Sequence, residues 1–197
     1  MTVAISIKDL SFAYHSNRLP AIHHLQAQIE DGTFVVLMGH SGAGKSTLCY
    51  SLNGLVPKFF RGEYQGRVLV NGKEVTLNKV SDLSRLVGLV FQDFEAQLFS
   101  TNVELEMAFG PENHCLPRSE IEQRIQRYLS FVGLEGLRHR EPSSLSGGQK
   151  QRLAIGSVLA LEPKILVMDE PTTDLDPQGR EEILSIADRL REEGRTL

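Results

Sequence analysis

The stretch FVVLMGHSGAGKS, residues 34–46, joins an apolar run to a loop of small residues that ends in a lysine and a serine. Phe34 to Met38 carries no polar side chain, which is how a strand covered on both faces of a parallel α/β sheet reads. Gly39-His40-Ser41-Gly42-Ala43-Gly44-Lys45-Ser46 then fits G-x-x-x-x-G-K-[ST], with a helix expected from about Lys45. Small residues let successive backbone N–H groups turn inward around anionic oxygens. The helix N-terminus adds about half a positive charge. In that setting Lys45 supplies a full charge to the β- and γ-phosphates of a nucleotide, and Ser46 a hydroxyl to Mg²⁺. His40 stands at a variable position and is assigned no side-chain chemistry. The plain alternative is a Gly-rich turn without a ligand.

Two more apolar runs resemble the first. Val87-Gly88-Leu89-Val90-Phe91 ends at Gln92, and Ile165-Leu166-Val167-Met168 ends at the acids Asp169 and Glu170. Ligands of open α/β sheets gather at the carboxyl ends of strands, so these residues can face the phosphate loop. Asp169 is the expected Mg²⁺ ligand, directly or through water. Glu170 is the candidate to polarise a water for attack on the γ-phosphate. The Gln92 amide can bind an ion or a water. Without the phosphate loop, all three read as solvated strand ends.

Elsewhere the pattern changes. Val3, Ile5 and Ile7 alternate with polar residues, as do Leu25, Ala27 and Ile29, and Asn71-Gly72 is a hairpin signal between Val70 and Glu74. These pieces predict a small, mostly antiparallel sheet near the N-terminus. Ile121, Ile125, Tyr128, Leu129 and Val132 recur at helix spacing, opened by Ser119 and closed by Gly133. Further helices are expected after Ser146 and over about 178–193. The fold class is therefore α/β: a phosphate-loop core with a mostly parallel buried sheet, the antiparallel sheet, and a helical insertion over about 94–160.

The bulk composition sets limits. The chain has 197 residues, 41% of them apolar and 23% charged, with a net charge of −4; a general nucleic-acid binder would be basic. The longest apolar runs are too short to cross a bilayer. Cys49 and Cys115 show no metal-ligand spacing and read as buried or incidental thiols.

Residues 145–149 read LSGGQ, directly before a basic helix. With this string the chain resembles the nucleotide-binding domain of an ABC ATPase over nearly its whole length. The motifs come in family order: the phosphate loop at 39–46, Gln92 as the Q-loop residue, LSGGQ, the acidic strand at 165–170, and Pro171 to Asp176 as the D-loop. The resemblance implies ATP and Mg²⁺ as cofactors. It implies nucleotide contacts from Gly39 through Thr47 and from Tyr14, whose ring would stack on adenine unless His15 does so. It also implies head-to-tail pairing with a second such domain. Ser146, Gly147, Gly148 and Gln149 would then reach the γ-phosphate held by the partner, and Asp176 would cross the interface. The metal contacts implied are Ser46, Gln92 and Asp169, and the catalytic residues Glu170 and Gln92.

A finer match lies in VFQDFEAQLFS, residues 90–100, and VELEMAFGPE, residues 103–112. These look like the ATPases of energy-coupling-factor importers of vitamins and metal ions. The resemblance implies a transmembrane coupling protein and a substrate-binding membrane subunit as partners, at the cytoplasmic face of the cell membrane. Phe94, Leu98 and Phe99 either meet that coupling protein or pack the insertion's own core. The segment at 59–65 looks like the first half of fused, two-domain members. Thr196-Leu197 would begin the strand that leads, in the family, to a switch histidine on the γ-phosphate. His23, His24, His114 and His139 do not match that position. The chain thus reads as one domain cut before that strand, with hydrolysis slowed by about 10²–10³ for one lost transition-state contact. Two rivals remain. A soluble ABC ATPase acting on DNA or ribosomes would call for a long coiled coil or a second domain, and the roughly 100 residues between Lys45 and Leu145 hold no heptad run. A small-molecule kinase leaves LSGGQ unexplained.

Overall fold

The computed structural model describes residues 2–16 and 19–197. It divides into two compact units. One comprises Met1–Leu89, Lys164–Asp169 and Leu190–Leu197; the other comprises Val90–Pro163 and Glu170–Arg189.

In the first unit, β1 (Val3–Tyr14), β2 (Ile22–Glu30), β3 (Gly62–Val70) and β4 (Lys73–Glu74) form an antiparallel sheet in the order β2-β1-β3-β4. The apolar residues of β1 switch parity along the strand, from Ile5 and Ile7 to Leu10 and Phe12. A regular strand would turn one of these pairs to solvent, so one extra residue must bulge out between them. The bulge lies at Asp9, which has φ 53°, and the register shifts there against both neighbours. Gly66 faces it on β3 at φ 85°, where a Cβ would stand 2.2 Å from the Asp9 carbonyl oxygen. Ile5, Ile7, Leu10 and Phe12 all remain buried, packed with Val56, Val68, Val70 and Leu83. Asn71 and Gly72 make the expected tight turn, at φ 47° and 76°.

The phosphate-loop helix α1 (Lys45–Leu52) is followed by two single-turn helices, α2 (Leu55–Lys58) and α3 (Val80–Leu83). β5 (Val87–Val90) is hydrogen-bonded beside β6 (Ile165–Met168), and Thr196 bridges in parallel to Ile165. The buried Thr196 hydroxyl accepts from the Gly32 N–H at 2.8 Å and donates to Asp31 at 2.9 Å, tying this stretch to the turn before residue 34.

Phe34 to Met38 departs from expectation. It is not a strand, and its residues are 39–87% exposed. A strand exists only where a neighbour completes its hydrogen-bond ladder. Here Leu197 gives the segment one bridge, donating to the Thr33 carbonyl at 2.9 Å and accepting from the Val35 N–H at 2.8 Å. No further backbone pairing reaches residues 36–38 among the described residues.

The second unit is helical, built from α4 (Val103–Asn113), α5 (Arg118–Phe131), α6 (Gly147–Leu159) and most of α7 (Pro177–Glu192). α4, α5 and α6 pack on one another around Met107, Tyr128, Leu129, Leu153, Ile155 and Leu159. A Cβ at Gly156 would stand 3.1 Å from the Met107 sulfur, so α4 and α6 approach closely there. α5 starts one residue before Ser119, with Pro117 at its cap. The fixed φ of proline suits a helix entry, and Ser119 lies inside the helix. Gly133 ends it at φ 66°, as expected. No described helix is long and apolar enough to cross a membrane.

Cys49 is buried in α1 and Cys115 is exposed. Burial, and then the charge of Asp169, push the Cys49 thiol up to about 12. At pH 8 iodoacetamide is therefore expected to label Cys115 alone in the folded protein and both thiols in urea. Mass spectrometry reads this directly, and labelling of Cys49 at the rate of Cys115 would contradict the packing of α1.

Candidate functional site

In the first unit the chain enters α1 through two left-handed glycines, Gly42 at φ 78° and Gly44 at φ 89°. A Cβ at Gly44 would lie 2.2 Å from the Ala21 carbonyl oxygen, so only glycine fits. The helix has no side-chain cap, and its first-turn N–H groups are of the kind that receive an anion. The Lys45 ammonium lies along the loop, donating to the Gly39 and His40 carbonyls at 3.1 Å each. His40 takes part through its backbone alone in the bonds seen. Ser46 and Thr47 follow on the first turn, and the Thr47 hydroxyl meets the Tyr14 hydroxyl at 3.0 Å. Tyr14 stands edge-on to Phe12 with centroids 4.9 Å apart. His15 is exposed at the end of the same strand.

Asp169 follows β6 within this unit and is 2% exposed, and its Oδ2 has no hydrogen-bond partner. An unmet buried carboxylate oxygen costs about 1–3 kcal/mol or more. Its charge, and that of Lys45, both act on the Cys49 thiol between them in sequence; the Asp169 carboxylate also raises the Tyr50 phenol, after burial. An oxygen held without a partner beside a phosphate loop fits a hard cation. Among the described residues no cluster of three His, Cys, Asp or Glu forms a metal site by itself. Mg²⁺ takes one or two protein oxygens and completes its shell with phosphate and water, so a single buried carboxylate of this kind suits it.

The second unit holds the other motifs. The Gln92 amide donates to Glu170 Oε2 at 3.1 Å, and the Thr173 hydroxyl donates to the same oxygen at 3.3 Å. Glu170 sits at φ 48°, a conformation that a non-glycine residue adopts only when its surroundings hold it there. Ser146 caps α6 in a reciprocal box: its hydroxyl accepts from the Gln149 N–H at 3.3 Å, and the Gln149 side chain accepts from the Ser146 N–H at 3.0 Å. A hydroxyl used as an acceptor keeps its proton to donate. Gly147 has open space where a Cβ would stand, whereas Gly148 faces the Gly179 backbone at 3.8 Å. Packing within the chain therefore does not demand a glycine at 147. Asp176 accepts from the Gly179 N–H at 2.7 Å and caps α7, with Pro177 at the first helical position.

Phe94 and Leu98 are half-buried, but Phe99 is 62% exposed, its ring edge-on to Phe109 at 4.5 Å. Leu105 and Phe109, one turn apart on α4, are 45% and 47% exposed, so an apolar face is open here. Sequence reasoning missed two features of these sites. The Ala21 contact of Gly44 joins residues far apart in the chain and has no local signal. Glu106 is buried on the apolar stripe of α4, and a charge on that stripe was a legible anomaly.

The family profile described as ABC transporter matches residues 22–173. A protein of Caldanaerobacter subterraneus, provisionally named an ABC transporter ATP-binding protein, is 58% identical over 96% of this chain and 33% of its own length. One of Pyrococcus abyssi, named in the same way, is 44% identical over 96% of this chain and 68% of its own. This chain thus spans about a third of the first relative and about two thirds of the second. Among solved structures, cbiO1 from Clostridium perfringens, part of the ABC transporter complex cbiONQ, superposes with a TM-score of 0.86 at 34% identity, covering 100% of this chain and 77% of that one. With the phosphate loop, the acidic strand end and the capped LSGGQ helix in place, the chain belongs to the ABC transporter family, as an ATP-binding domain.

Proposed function

We propose that this domain is the ATP-hydrolysing motor of a membrane importer of the energy-coupling-factor type. It works at the cytoplasmic face, paired head to tail with a second ABC ATPase domain. The observation that carries the importer reading is the open apolar face of Phe99, Leu105 and Phe109, in the segment that follows Gln92. The link to the membrane runs through a partner, and this face is where a helix of that partner docks. Likeness to a component of the cbiONQ complex supports the same partner type.

In this reading the loop N–H groups from Gly39 to Thr47 and the Lys45 ammonium hold the phosphates, and Tyr14 packs against adenine. Asp169 and Ser46 would hold Mg²⁺, which would supply positive charge to offset that of the phosphates. Gln92 and Glu170 position and polarise the attacking water. The Ser146 hydroxyl and the backbone at Gly147 and Gly148 close on the γ-phosphate of the paired domain. The open space at Gly147 supports that approach. Each hydrogen bond to a charged oxygen contributes about 1.5–3 kcal/mol, so a few per site suffice to make pairing depend on ATP.

Two measurements test this reading. The full-length protein, presented to native membranes, should retain a polytopic membrane protein, and Phe99→Asp should lose it. Retention of ribosomes or DNA alone, or capture indifferent to Phe99→Asp, would overturn the importer reading. Glu170→Gln should bind ATP and remain as a closed pair in size-exclusion chromatography, with turnover reduced by about 10² or more. Unchanged turnover would remove Glu170 from the chemistry.

A further inference from the structure

Phe99 keeps its exposed place through a residue that the nucleotide chemistry does not use. Glu106, on the first turns of α4, is 3% exposed. Its Oε2 accepts the backbone N–H of Phe99 at 3.1 Å and that of Ser100 at 2.8 Å. Its neighbours along the helix, Val103, Met107, Ala108 and Pro111, are buried too. A carboxylate in such a stripe is costly unless its charge is met, and two N–H donors on one oxygen meet it. Asn102 caps the same helix, accepting from the Leu105 N–H at 2.8 Å, so the chain turns from Ser100 into α4 with both ends of the turn held.

Phe99 is itself exposed, so water is at hand for its amide. What the carboxylate adds is a fixed position. With the backbone at 99–100 held to the helix, the Phe99 ring stands edge-on to Phe109, and exposed Leu105 lies one turn before Phe109 on α4. We propose that Glu106 is a positioning residue, whose buried carboxylate clamps the Phe99 and Ser100 N–H groups and so presents the Phe99–Leu105–Phe109 face to a helix of the membrane subunit. The proposal rests on the docking reading given above.

The test uses the full-length protein and two readouts: hydrogen exchange over residues 98–102, and capture of the membrane subunit from native membranes. Glu106→Ala should speed exchange at Phe99 and Ser100 by about tenfold or more and weaken capture by a similar factor, the loss expected for a charge-assisted bond. ATP affinity should stay within about twofold, since the residue lies outside the nucleotide chemistry. Glu106→Gln keeps the volume and one acceptor oxygen and should recover part of both effects. It carries the test if the alanine variant fails to fold. Unchanged exchange in the folded variants would overturn the clamp. Faster exchange with undiminished capture would overturn its presenting role while leaving the docking reading intact. Capture that survives Phe99→Asp would instead sink the docking reading, and the presenting role with it.

Discussion

The nucleotide end of this domain depends on one close approach. The backbone at Gly44 comes so near the Ala21 carbonyl that no side chain fits between them. That contact, with the Tyr14–Thr47 hydroxyl bond, fixes the start of α1 against the strands of the antiparallel sheet. A helix N-terminus is a useful anion site only if it is held still, because its N–H groups gain from an anion only when already aligned. The antiparallel sheet is therefore more than a cover: it is the wall against which the phosphate loop is set.

Beside the loop stands an unmet need. Asp169 is buried with one oxygen unpartnered, next to a thiol that it helps keep protonated. A protein that only had to be stable would replace such a group or give it a donor. In the other unit, Glu170 is held by Gln92 and Thr173 in a left-handed conformation, and Ser146 is held by its capping box with its proton still to give. Asp169 keeps one oxygen open, Glu170 is held in place, and Ser146 keeps a proton to donate, which suits the roles proposed for them.

Much of this was legible because its causes are local. The phosphate loop, the Asn71-Gly72 turn, the Ser146 cap and the close of α5 at Gly133 each rest on residue types within a few positions. The parity switch of β1 was equally present in the sequence, as the shift from Ile7 to Leu10. What could not be read depends on distant partners. Phe34 to Met38 has the composition of a buried strand, yet strand and burial come from neighbours, and Leu197 supplies one bridge. Ser119 looked like a helix cap, but Pro117 already sets the entry. Phe94, Leu98 and Phe99 were alike as letters. The structure separates them: Phe94 and Leu98 are half-buried, whereas Phe99 is exposed with its N–H held by Glu106.

The Lys45 loop and Asp169 are proposed to act as a single site for a phosphate–metal ligand. Calorimetric titration of ATP, with Mg²⁺ and with EDTA, tests it most directly in the native protein and in Asp169→Asn. The native protein should bind ATP more tightly with Mg²⁺, and Asp169→Asn should lose that difference while still binding ATP in EDTA. A full Mg²⁺ gain in Asp169→Asn would contradict the claim.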